Sequence, residues 1–236
     1  MVALDDAFAP VGPPAAIEAC PCCRNPADYA VLLSTPRHQL TGTELGSFAF
    51  RALNTVGSVA DLRYLTGRIL QLLHTDDPQM PDMEVVYSKL RQAGWDSWPQ
   101  ADAVAEVVDA LWRSTFAAAN PGPGIAVVVC VVGAAESTIA ARLVEWALLD
   151  SAPAVRNLHE LVIHGCRIED GRLTPTNSYW DHGWMPFGEL VDWLSNGPAT
   201  DAVVAAFDRT EDLDLLELLA EAYDVLERGL SVARAP

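Results

Sequence analysis

Three thiols fall within four positions at Cys20-Pro21-Cys22-Cys23, the densest group of reactive side chains in a chain of 236 residues. Thiolates are soft ligands and good nucleophiles, so the group has two chemistries open to it. With a fourth donor from elsewhere, such as His38 or His74, Cys20, Cys22 and Cys23 would form a zinc site. Alternatively the same thiols would act as a redox centre. A third reading is a turn whose cysteines are incidental. Structural zinc sites usually leave two to four residues between paired cysteines so that both sulfurs turn inward, and adjacent cysteines make a poor tetrahedral bite. The other two cysteines, Cys130 and Cys166, lie in apolar surroundings and read as small buried hydrophobes. Five is an odd number and three of the five are clustered, which is a poor disulfide framework.

Two further groups merit a chemical reading. His159 and His164 approach the zincin spacing but are five residues apart, so on a helix they point about 140° from one another and cannot clamp one ion. They read as a surface histidine and an end-of-helix histidine near the negative end of the dipole. The segment 179–184 gathers Tyr179, Trp180, His182 and Trp184 with Asp181. An Asp-His pair in a loop can serve as a base, and loops carry binding residues, so these four form a possible binding loop. Tryptophans at helix ends also plug gaps between stacked helices, which is the structural reading of the same residues. The chain has no dinucleotide fingerprint, P-loop, nucleophile elbow or paired C-x-x-C.

The elements that must position these groups read as helical nearly throughout. Thr41-Gly42-Thr43-Glu44 has capping-box form and leads into Leu45, Phe48, Ala49, Ala52 and Leu53 on one face. After Gly57, Ser58 caps a longer helix with the stripe Leu62, Leu65, Ile69, Leu72 and Leu73, the opposite face carrying Asp61, Arg68 and Gln71. Helices follow from Pro81 to Gly94, from Ser97 through Thr115, and from Glu136 onward. Ile125 to Val132 has the composition of a strand, but no second such run exists to pair with it, so it is expected to be a buried helix. Ser151-Ala152-Pro153 opens another helix, and 167–182 reads as irregular with Asp170-Gly171 as a turn pair. Further helices are expected from Phe187 and Pro198. A last one is capped by Thr210, carries Leu213, Leu216, Leu219, Tyr223 and Leu226 inward, and stops at Gly229.

About nine or ten helices with short linkers imply antiparallel neighbours. The expected fold is all-α: stacked helix hairpins in an α-α superhelix of HEAT or armadillo style, with a compact multi-helix bundle as the alternative. The break at Asn120-Pro121-Gly122-Pro123-Gly124 divides an N-terminal lobe, 1–120, from a C-terminal lobe, 121–236, of one continuous domain.

The stretch from Ala52 to Leu73 resembles a family of uncharacterised bacterial proteins. In that family a cysteine-rich N-terminal segment precedes an AL-x-T-x-G phrase and a D-F-R-x-F-L-P-R-I-x-E-L helix. Here the phrase is Ala52-Leu53-Asn54-Thr55-Val56-Gly57, and the helix keeps Asp61, Arg63, Arg68, Ile69 and Leu72. Gly67 and Gln71 stand where the pattern has Pro and Glu, and Tyr64 stands where the family is expected to carry His. Trp193-Leu194 and the Leu-rich final helix resemble the family's tail. The resemblance implies an all-helical bacterial protein with no established activity.

Composition limits the function classes. Half of the residues are hydrophobic and 20 % are charged, which excludes a mainly disordered chain. With 32 acidic against 15 basic side chains the net charge is −17, a field that repels phosphate backbones and disfavours nucleic acid as a partner. The longest uncharged apolar run, Ile125 to Ala135, is far short of the roughly 20 residues a membrane span needs. No basic and apolar leader opens the sequence, so a cytoplasmic protein is expected. The leading functional expectation is a non-enzymatic interaction scaffold whose acidic surface suits a basic protein partner, without cofactor. The alternative is a zinc- or thiol-dependent protein built around Cys20, Cys22 and Cys23.

Overall fold

A computed structural model describes residues 2–22, 25–75, 77–117 and 122–233. Twelve α-helices, three short 3-10 helices and one small antiparallel hairpin make up the regular structure among these residues, so the chain is mostly helical as expected. Two compact units, Met1–Val108 and Asp109–Pro236, divide it. Asn120 and Pro121, at the expected break between the lobes, lie outside the described residues.

In the first unit the order is α1 (Val2–Phe8), α2 (Val31–Ser34), α3 (Gly42–Arg51), α4 (Val59–Leu73), α5 (Met83–Gln92) and the start of α6 (Ala101–Thr115). The capping box at Thr41 forms as the sequence indicates, and the Ser58 cap is completed into a second box by Asp61. Glu44 Oε2 accepts from the Thr41 backbone at 2.8 Å, and Asp61 Oδ2 accepts from Ser58 N–H at 2.6 Å. The inner stripe of α4 is buried, with Leu65 and Ile69 at its centre. Its other side is not solvated, however. Asp61 and Gln71 are 5 % and 7 % exposed, because Asp61 is consumed by the cap and Gln71 Oε1 accepts from Arg68. Arg68 Nε also donates to the Leu40 carbonyl at 2.7 Å. Phe8 of α1 packs on Gly67, where a Cβ would stand 3.1 Å from the Phe8 Cβ. Helix α4 is therefore the hub of this unit.

The second unit holds the remainder of α6, α7 (Ile125–Ala135), α8 (Ala140–Trp146), α9 (Ala152–His164), α10 (Met185–Ser195), α11 (Pro198–Phe207) and α12 (Leu213–Ala233). The valine-rich Ile125–Ala135 segment is indeed a helix and is buried over nearly all its length. The region read as irregular is partly a hairpin: β1 (Cys166–Glu169) pairs antiparallel with β2 (Arg172–Pro175). Asp170 and Gly171, at φ +49° and +76°, form its two-residue turn, the left-handed pair that Asp-Gly favours. The last helix also departs from expectation. Its start is held by Asp212, whose Oδ1 accepts from Asp214 N–H at 3.0 Å, and it runs through Gly229. Its buried stripe is Leu215, Leu219, Ala222 and Leu226, while Leu213 is 78 % exposed. The buried face shares Leu219 and Leu226 with the expected stripe but is rotated toward Leu215 and Ala222.

Candidate functional site

The cysteine segment is fixed in place by a partner far along the chain. Ile17 is buried, and from there the backbone runs beside the turn that follows α3. Cys20 N–H donates to the Thr55 carbonyl at 2.8 Å, and Gly57 N–H donates to the Glu18 carbonyl at 2.8 Å. Ala19 and Val56 form an antiparallel bridge between these two bonds. The receiving turn is tight: the Arg51 carbonyl accepts from both Asn54 and Thr55, and Leu53 N–H donates to the Val56 carbonyl. Leu53 has φ +66°, a left-handed conformation that is uncommon for a bulky residue and costs of order 1–3 kcal/mol. Gly57 has φ +68°, and a Cβ there would stand 2.8 Å from the Phe48 ring, so position 57 requires glycine on two counts.

Pro21 then turns the chain. Its ring fixes φ and disfavours a helical conformation at the preceding Cys20, and residues 21 and 22 form a turn. The Cys20 and Cys22 sulfurs lie 2.8 Å apart, with Cys20 half-buried and Cys22 exposed. Beside Cys20 is a concavity of about 290 Å³, walled by residues 18–20 on one side and 53–57 on the other. Thr55 lines it, and the buried Thr55 Oγ1 has no hydrogen-bond partner among the described residues, as is also true of Arg51 Nε.

Comparison with protein-family models, curated proteins and solved structures finds no match to this chain. The site must be argued on its own geometry. Two thiolates on one zinc, each about 2.3 Å from the metal in tetrahedral geometry, stand about 3.8 Å apart. The observed sulfur separation of 2.8 Å is narrower than that bite. Among the described residues no group of three or more His, Cys, Asp or Glu side chains gathers where a metal could sit. Cys23, the third thiol of the expected set, lies outside the described residues. Of the suggested fourth ligands, His74 is engaged with the Tyr87 hydroxyl at 2.9 Å and His38 lies beside Gln39.

The loop 179–184 is divided in its behaviour. Trp180 is buried and lies against α7, where a Cβ on Gly133 would meet its ring at 2.4 Å. Its ring also contacts Trp184 and Phe187. His182 is exposed and stacks on Phe187 at 4.4 Å between ring centroids, and Tyr179 is exposed at the edge. Asp181 Oδ1 accepts from Gly183 N–H at 2.8 Å, closing a local turn. His159 and His164 meet edge to face at 6.4 Å, and His159 Nε2 pairs with Glu221 Oε2 of α12 at 2.6 Å. Burial pushes the Cys166 thiol up to about 12, which leaves it unreactive, and Cys130 is buried within α7.

Sequence reasoning singled out the cysteines but missed Glu18, Asn54 and Thr55 as their surroundings. The only signal for the last two was the AL-x-T-x-G phrase itself, which contains both and ends on the glycine the turn requires.

Proposed function

We propose that the protein is a thiol-disulfide switch in which Cys20 and Cys22 interconvert between a dithiol and a disulfide. The observation that carries this reading is the 2.8 Å approach of the two sulfurs on a segment pinned by backbone hydrogen bonds to the 53–57 turn. Proximity of this kind turns the second step of thiol exchange into an intramolecular one. A cytoplasmic setting would keep the pair reduced until an oxidant arrived.

The test uses the sequence's own cleavage pattern. The first basic residue is Arg24, so tryptic peptide Met1–Arg24 contains all three N-terminal cysteines. In a Cys23→Ser chain, oxidation followed by alkylation should lower the number of alkylated thiols in that peptide from two to none, with recovery on reduction. Two alkylated thiols at every oxidant concentration would overturn the switch. Stoichiometric zinc in the native chain, lost in the Cys20, Cys22 and Cys23 triple serine variant, would replace it with a metal site.

The scaffold reading is favoured by a different observation, the outer face of α12. Asp214, Glu217, Glu221 and Asp224 are all exposed there, in a chain of net charge −17. A basic helical partner would be drawn to that face. Capture of a lysine-rich amphipathic peptide should weaken as salt rises and fall away when Glu217 and Asp224 become lysine. Capture indifferent to both changes would remove this reading.

A further inference from the structure

We infer that the oxidant this pair takes is an amine-bearing low-molecular-weight disulfide, with Cys20 as the attacking thiol and Cys22 as the resolving one. The inference rests on the switch reading above. Cys20 lines the concavity and Cys22 does not, and Cys20 is half-buried whereas Cys22 is exposed. A volume of about 290 Å³ is at the small end of ligand pockets, so it suits a small disulfide. Among the residues lining it, Glu18 is the one that carries a charge, and a carboxylate at this position favours a cationic ammonium and disfavours an anion. Asn54 and Thr55 are neutral polar residues on the facing wall.

The chemistry balances without a metal or further cofactor. The Cys20 thiolate attacks one sulfur of R–S–S–R, a protein–S–S–R bond forms, the R–S–S–R bond breaks, and R–S⁻ leaves and takes up a proton. The Cys22 thiolate, its sulfur 2.8 Å from that of Cys20, then attacks Cys20 Sγ and expels the second R–S⁻. Two electrons pass from the cysteine pair to the small disulfide, which ends as two thiols.

The experiment uses the full chain in a Cys23→Ser background with three oxidants: cystamine as the dicationic disulfide, hydroxyethyl disulfide as its neutral counterpart, and diamide, which needs no seat. With Cys22→Ser, cystamine should leave one stable adduct per chain, on Cys20. With Cys20→Ser, adduct formation on Cys22 should be about tenfold slower. Glu18→Gln should slow the cystamine reaction about threefold and leave the hydroxyethyl disulfide rate unchanged. If diamide closes the Cys20–Cys22 bond but cystamine reacts equally at both cysteines and ignores Glu18, the assignment of oxidant and roles fails while the switch stands. If no oxidant closes the bond, the switch itself fails and this inference with it.

Discussion

His74 ends α4 and is mostly buried against Tyr87, the ring nitrogen and the hydroxyl 2.9 Å apart. Two effects oppose each other there. The carbonyl end of a helix favours a protonated imidazole by roughly 0.3–1 kcal/mol, whereas desolvation penalises the cation. Burial wins, lowering His74 from 6.5 to about 4. The histidine therefore stays neutral in the folded chain while the unfolded chain protonates it near 6.5. Stability is fully present above that value and is lost as pH falls toward 4. From these two values the loss is about 0.8 kcal/mol at pH 6 and about 2 kcal/mol at pH 5, relative to pH 8. A His74→Gln chain keeps an acceptor for the Tyr87 hydroxyl and has nothing to titrate, so it is the proper reference. Urea denaturation of both chains at pH 8, 7, 6 and 5, followed by far-UV circular dichroism, should show the native chain losing about 2 kcal/mol relative to the variant. Taking the difference between the chains removes the titration of the many carboxylates. Parallel curves across the range would refute the neutral buried imidazole.

Packing makes three further predictions. Gly46→Ala should cost about 3 kcal/mol, since its Cβ would stand 2.0 Å from the Gln79 carbonyl oxygen, whereas Gly124→Ala, with nothing within 4 Å, should shift the urea midpoint little. Leu65→Ala and Ile69→Ala, both at most 1 % exposed in α4, should each cost about 2–5 kcal/mol by the same measurement; a neutral result would move that stripe out of the core. Trp180→Ala should cost about 3–5 kcal/mol and lower the melting temperature, while Tyr179→Ala, exposed one residue away, should change it by less than about 0.5 kcal/mol.

What the sequence revealed followed from local rules, and what it hid depended on distance. Ile125–Ala135 has strand propensity, yet it is a helix, because a segment buried at nine of its eleven residues satisfies its backbone bonds internally and needs no partner strand. The same search for a partner strand failed at 166–175 for the opposite reason. There the strands are short, β1 is largely exposed, and only β2 turns its side chains inward, so neither strand shows the alternation that advertises a hairpin. Its register is secured from outside, by Ser195 of α10, whose hydroxyl accepts from Leu173 N–H at 2.9 Å. Asp170-Gly171 was the one local clue, and it signals a hairpin only when the flanking pattern supports it. The buried polar face of α4 was hidden in the same way: periodicity assigns Asp61, Arg68 and Gln71 to solvent, but a helix at the centre of a unit has no solvent side. The thiol site combines both cases. The three cysteines are visible at a glance, but what seats Cys20 is the turn at residues 53–57, more than thirty positions later, through two backbone hydrogen bonds that no side-chain pattern encodes. A left-handed Leu53 within that turn is a local cost that the surrounding packing must offset. Its position opposite the cysteines places the strain where the proposed exchange would occur.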